Sequence, residues 1–145
     1  MHKHNLAGIV LMSAVTLASA QMSPVGLWRT ISDSDGKATS EVRITESGGV
    51  LTGVVEKALV TSSEPNCDKC TDDRKGKPKV GMQIIRDARK TDGKDVWEGG
   101  SILDPGNGTV YKLKMTPTDG GKHLEVRGFV GVSLFGRTQT WVRAE

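Results

Sequence analysis

Beyond residue 20 the chain alternates between apolar and polar positions in short runs, and no stretch holds a helical repeat. Residues 39–45 show the pattern: Val42 and Ile44 alternate with Glu41 and Arg43. Residues 109–116 repeat it, with Tyr111, Leu113 and Met115 set against Lys112 and Lys114. A period of two places one set of side chains on a buried face and the other in water. Comparable β-rich runs cover 25–31, 50–59, 80–87, 95–103, 123–129 and 137–143, which makes about eight strands.

The breaks between runs carry turn chemistry. Asp33-Ser34-Asp35-Gly36, Ser47-Gly48-Gly49 and Thr118-Asp119-Gly120-Gly121 are short connections. Asp104-Pro105-Gly106-Asn107-Gly108 is the clearest hairpin, since proline presets φ while glycine and asparagine tolerate positive φ. One connection, residues 60–79, is far longer and polar. Loops of that length in compact domains are lids, binding loops or disordered segments. Eight antiparallel strands in a meander predict an all-β domain, closed as an up-and-down barrel or stacked as a sandwich.

The first twenty residues differ in kind. Lys3 supplies a positive start, residues 6–17 are apolar, and Ala18-Ser19-Ala20 ends the stretch with small residues. This is the three-part pattern of a cleaved secretory signal. The apolar run is about a dozen residues, short of the roughly 20 needed to span a bilayer as a helix. The expectation is a signal peptide over 1–20, a single domain over 21–145, and a periplasmic or secreted product. Gln21, not cysteine, follows the cleavage position, which argues against a lipoprotein anchor.

Charge narrows the partners. Of 20 basic and 17 acidic residues, only Lys3 falls in the signal, so the remainder carries a net charge of +2. The basic residues are interleaved with acidic ones and form no stripe with aromatics between them. Nucleic-acid binding and purely electrostatic membrane attachment both lack their sequence signature. No later segment is long and apolar enough to span a membrane as a helix.

Gly26-Leu27-Trp28 opens the first run, and Trp141-Val142-Arg143 closes the last. This resembles the lipocalin and calycin pattern, in which an early Gly-x-Trp sits at the closed end of a barrel and a late arginine packs across the indole. The resemblance implies barrel-end packing of Gly26, Trp28 and Arg143, and it favours the lipocalin-like barrel over the sandwich. A wider set occurs in order: Gly26-Leu27-Trp28-Arg29-Thr30, Cys67-Asp68-Lys69-Cys70, residues 97–105, residues 124–129 and residues 135–141. Together these resemble domain-of-unknown-function family 2147, bacterial envelope proteins with a lipocalin-like barrel. That family has no established activity, so the resemblance implies a fold and a compartment.

Cys67 and Cys70 are the only cysteines. In an oxidising compartment two thiols this close pair, and a structural disulfide is the expectation. A thioredoxin-type redox pair would need a helix N-terminus beside the first cysteine, and the polar surroundings offer none. A structural zinc would need two further ligands, with His123 the only histidine after residue 20.

No catalytic set stands out, and no cofactor is implied. Gly131-Val132-Ser133-Leu134-Phe135-Gly136 misses the spacing of a nucleophile elbow by one residue and reads as a bend between strands. The leading functional reading is a binding protein holding a small apolar or amphipathic ligand inside the barrel. Tyr111, Leu113, Met115, Leu124 and Val126 are the candidate lining. The alternative is a filled barrel acting as an envelope interaction module through the basic loop residues Lys69, Arg74, Lys75, Lys77 and Lys79. An enzyme is the third reading. The oligomeric state is not written in the sequence.

Overall fold

The computed structural model describes residues 8–14 and 22–145. Residues 8–14 are exposed and form no regular element. The rest of the expected signal, and the cleavage position at Ala20, lie outside the described residues.

Eight antiparallel strands follow in order: β1 Gly26–Ile31, β2 Ala38–Ser47, β3 Val50–Ala58, β4 Gln83–Lys90, β5 Trp97–Asp104, β6 Thr109–Thr118, β7 His123–Phe129 and β8 Gly136–Arg143. Each pairs with its neighbour in sequence, and β1 pairs with β8, so the sheet closes into a barrel. The fold is all-β with lipocalin-like topology, and closure leaves no long free edge. Among the described residues no helix is long and apolar enough to cross a membrane.

The expected strand over 80–87 is displaced: β4 starts at Gln83 and ends at Lys90. Val80 is exposed, and the chain turns at Gly81, whose N–H donates to the Val55 carbonyl at 2.7 Å. The apolar run 80–85 therefore straddles a turn. A second irregularity lies at Asp87, which has a φ of 59°. It resets the alternation between Ile85 and Ala88, and a separate register shift opposite Gly53 and Val54 lets the adjacent Ile84 and Ile85 both be buried.

An up-and-down barrel sorts its connections to two ends. The β2–β3, β4–β5 and β6–β7 turns share one end with the start of β1 and the end of β8. The β1–β2, β3–β4, β5–β6 and β7–β8 connections ring the other. Inward residues at the first end are bulky: Trp28, Ile44, Met115, Leu124 and Trp141 are almost wholly buried. On the same strands nearer the second end, the inward positions are Thr30, Ser40, Gly128 and Gln139. The core therefore fills one end of the barrel and thins toward the other.

Candidate functional site

The filled end is organised around Trp28 and Arg143. The Trp28 indole N–H donates to the Pro24 carbonyl at 2.7 Å. The Arg143 guanidinium carbon lies 4.2 Å from the centre of the Trp28 ring. Its Nε donates to Gly121 O at 2.6 Å, Nη1 to Val25 O at 2.9 Å and Nη2 to Ser23 O at 2.8 Å. One side chain thus ties the strand β8, the β6–β7 turn and the segment before β1. Burial pulls the Arg143 pKa down, yet an arginine stays charged in any protein setting. Gly26 makes the approach feasible: its φ is +136°, and a Cβ there would lie 2.5 Å from Arg143 Nη1. The structure brings Gly26, Trp28 and Arg143 together as a structural cluster that closes the barrel.

The other end is hollow. A cavity of about 670 Å³ opens there. Its wall has two characters. Val55, Ile84, Leu103, Val126 and Phe129 supply an apolar side from β3 to β7. Thr30, Thr39, Ser40, Arg137 and Gln139 supply a polar side from β8, β1 and β2. Trp141 forms part of the floor, and its indole N–H donates to Gln139 Oε1 at 3.2 Å. The Thr30 hydroxyl lies 2.8 Å from that of Thr39 and 2.7 Å from that of Ser40.

The polar side coincides with the seam of the barrel. Backbone pairing between β1 and β8 joins Trp28 to Arg143 and Arg29 to Val142, next to the filled end. Nearer the mouth the seam is bridged by side chains. Arg137 Nη1 meets Asp33 Oδ2 at 2.9 Å, and Gln139 Nε2 donates to the same oxygen at 3.4 Å. Both partners of this ion pair are exposed, so it contributes about 0–1 kcal/mol. Its consequence is geometric, since it draws the β1–β2 connection over the gap.

Residues 59–82 form the largest piece of the rim. Cys67 and Cys70 are joined as a disulfide, with Cα atoms 5.4 Å apart, and both are buried. The Cys67 N–H donates to Lys77 O at 2.8 Å, and the Gly76 N–H to Cys67 O at 2.8 Å. Arg74 is 4 % exposed and is bound to Asp72, with Nη1 donating to Gln83 O at 2.8 Å. Arg86 grips Asp73 through two bonds of 3.0 and 2.9 Å. The hydrogen bonds from Arg74 hold Asp72 at a pKa of about 2, and those from Arg86 hold Asp73 below its ordinary value. The disulfide rests on the β5–β6 turn: Cys67 Sγ lies 3.5 Å from Pro105 O. Gly108 in that turn has a φ of +75°, and any Cβ there would collide with the Lys69 backbone. The long loop is thus built from its own polar groups and fastened to the mouth.

Comparison with known proteins agrees with this architecture. Residues 26–143 match the family described as uncharacterized proteins conserved in bacteria, DUF2147. The chain belongs to that family. No curated protein matches the sequence. Among solved structures, protein HP1028 from Helicobacter pylori, described as belonging to the lipocalin family, superposes with a TM-score of 0.73. The two are 18 % identical over 86 % of this chain and 85 % of that one, a likeness that shows the shared fold. The disulfide and the membership of a bacterial family are consistent with an extracytoplasmic protein.

Within this family member the candidate lining residues divide. Tyr111 and Val126 face the cavity. Leu113, Met115 and Leu124 lie in the packed core and do not line it, because they sit too far toward the filled end. Arg74 leaves the basic loop set for the same kind of reason: it is buried and neutralised by Asp72. Thr30, Ser40 and Gln139 line the cavity beyond the residues expected from the sequence. Their signal was nonetheless present, as polar residues spaced by two from Trp28, Val42 and Trp141 on inward-facing positions. His123 lies at the opposite end, half exposed, with Nδ1 3.2 Å from Asp119 Oδ2. Among the described residues no three His, Cys, Asp or Glu side chains gather as a metal site.

Proposed function

We propose that this chain is an exported binding protein that holds one small amphipathic molecule in the mouth of its barrel. The observation that carries the reading is the two-faced cavity of about 670 Å³. That volume lies within the roughly 300–1,000 Å³ of small-molecule sites. An apolar tail fits against Val55, Ile84 and Val126, while a polar group faces the hydroxyls of Thr30 and Ser40 and the Gln139 amide. The Thr30 hydroxyl bonds to those of Thr39 and Ser40, so a ligand can exchange those bonds for its own without stranding a buried donor.

Export rests on the sequence of residues 1–20. The exposure of Ile9, Val10, Leu11 and Met12 supports it, since a segment this apolar that adds nothing to the core fits a transient leader. N-terminal sequencing of the chain recovered from the cell envelope should start at Gln21. A start at Met1 would remove that part of the proposal.

The ligand reading is tested on the protein purified without denaturation. Native mass spectrometry should show an adduct released into organic solvent, and a fluorescent fatty acid should bind and be displaced by that extract. Val126→Trp, which fills the cavity, should abolish both signals while the strand circular dichroism persists. Wild-type protein with neither adduct nor probe binding would overturn the reading.

A further inference from the structure

The exposed apolar side chains of the barrel are unevenly placed. From residue 26 onward the large exposed ones are Leu59, Val60, Val80, Val110, and four in the β7–β8 connection. All lie at the mouth end. The four in the connection are the most exposed: Val130 at 64 %, Val132 at 60 %, Leu134 at 80 % and Phe135 at 70 %. Single exposed apolar residues are ordinary, but four within six residues on one projecting loop are not.

This loop is held in shape. The Val130 N–H donates to Phe135 O at 3.2 Å, and the Phe135 N–H to Val132 O at 3.1 Å. Arg127 donates from Nε and Nη2 to Ser133 O at 2.9 and 2.6 Å. Lys112 Nζ donates to Gly131 O at 3.2 Å. Both cations spend these bonds on backbone carbonyls, so their charge is not cancelled there. They flank an apolar tip at its base, and from residue 126 to 144 the chain contains no acidic residue.

We propose that the β7–β8 loop docks the mouth of the barrel onto an anionic lipid bilayer. Val130, Val132, Leu134 and Phe135 enter the boundary between headgroups and acyl chains, and Lys112 and Arg127 meet lipid phosphates. The choice of a bilayer over a protein partner follows from exposure and charge. Four apolar side chains of one loop are exposed, and further exposed apolar residues stand at the same end of the barrel on the long loop and at the start of β6, spread as a fluid apolar phase can accommodate. Uncancelled cations beside an apolar tip match the anionic headgroup layer above an apolar interior. The inference concerns the rim: Val130 and Phe135 also line the cavity opening, whereas Val132 and Leu134 do not, so docking would bring that opening against lipid.

Flotation of the chain lacking residues 1–20 with vesicles of equal parts phosphatidylethanolamine and phosphatidylglycerol tests it. Wild-type protein should float with the vesicles, and binding should weaken as salt is raised or when phosphatidylcholine replaces the anionic lipid. The double variant Val132→Asp/Leu134→Asp alters only exposed side chains that lie outside the cavity lining. It should lose about tenfold or more of its partition with its circular dichroism unchanged. Val126→Trp leaves the rim intact and should float as wild type does, which separates failure of docking from failure of ligand binding. Wild-type protein that stays soluble, or a double variant that floats equally well, would overturn the proposal. So would a concentration-dependent dimer, abolished by the double variant, in a protein that ignores vesicles.

Discussion

The two ends of this barrel use the same eight strands for opposite purposes. At the filled end, Trp28 and Trp141 exclude water, and Arg143 satisfies the carbonyls of Ser23, Val25 and Gly121 while covering the Trp28 ring. Backbone pairing closes the seam there. At the mouth, hydroxyls and an amide on one wall face apolar side chains on the other across a cavity, the seam is spanned by the exposed Arg137–Asp33 pair, and further apolar residues face outward. The contrast teaches that closure and capacity are separable in a small barrel. An eight-stranded barrel has room for either packed side chains or one small ligand, and this chain packs one end and leaves the other open.

That division can be broken most severely at the filled end. Trp28→Ala removes the largest buried side chain and the ring beneath Arg143, and should cost about 3–5 kcal/mol. Urea unfolding followed by strand circular dichroism measures it, and a loss below 1 kcal/mol would mean that Trp28 does not anchor closure.

Arg143→Lys keeps the charge but loses the planar fork. It should cost about 1–3 kcal/mol by leaving at least one of three carbonyls unpaired. An unchanged urea midpoint would show that charge alone suffices at this position.

The disulfide sharpens the comparison at the other end. Replacing Cys67 and Cys70 by serine should lower stability by about 2 kcal/mol on the chain-entropy model, because the closed loop is so short. The change should be local, with hydrogen exchange accelerating in residues 59–82 and at the β5–β6 turn but not around Trp28. Equal acceleration at both ends would contradict the independence of mouth and base.

Acid should act chiefly on the mouth, and more weakly, because the lowered carboxylate at the filled end, Glu145 bound to Arg43, is an exposed terminal residue. Asp72 is held at about pH 2 by Arg74, and Asp73 is lowered by Arg86. A carboxylate with a depressed folded pKa adds stability above its unfolded value of about 3.9, and that addition fades as pH falls toward 2. Amide protection in residues 66–79, corrected for intrinsic exchange, should therefore drop below about pH 4 while the strands hold. Asp72→Asn should show the same loosening at neutral pH.

The smallest stability change is expected from Thr30→Val, a part-buried site in the cavity wall, at about 0.5 kcal/mol. Its ligand or probe affinity should change more than its unfolding midpoint does. The opposite ordering would place Thr30 in the scaffold instead of the site.

Much of the scaffold was legible along the chain because a strand with one wet face writes its own alternation. Tyr111, Leu113 and Met115 against Lys112 and Lys114 left little choice of face. The exception was 80–90, where an apolar run crosses the turn at Gly81 and positive φ at Asp87 resets the alternation. A bulge costs a residue of register without leaving a compositional mark, so the strand was displaced by three positions. The site was less legible. Alternation tells which residues point inward but not how far along the axis each one sits, so Leu113, Met115 and Leu124 could not be told apart from Tyr111 and Val126. Arg74 looked like its lysine neighbours in the loop, and only folding placed it in a buried pair with Asp72.

The sequence by itself determined the class of fold and the number of strands, because periodicity and turn chemistry are local signals, while the resemblance to the lipocalin pattern implied Gly26, Trp28 and Arg143 as the residues that close the barrel. The sequence also paired Cys67 with Cys70 once an oxidising compartment was expected. Tertiary structure alone decided that one end is packed and the other hollow, since interior volume depends on how side chains from eight strands add up at each level. It likewise set Lys112 and Arg127 at the foot of an apolar loop, although no basic stripe exists in the sequence. Three strands had to come side by side before those charges and that apolar tip shared one surface.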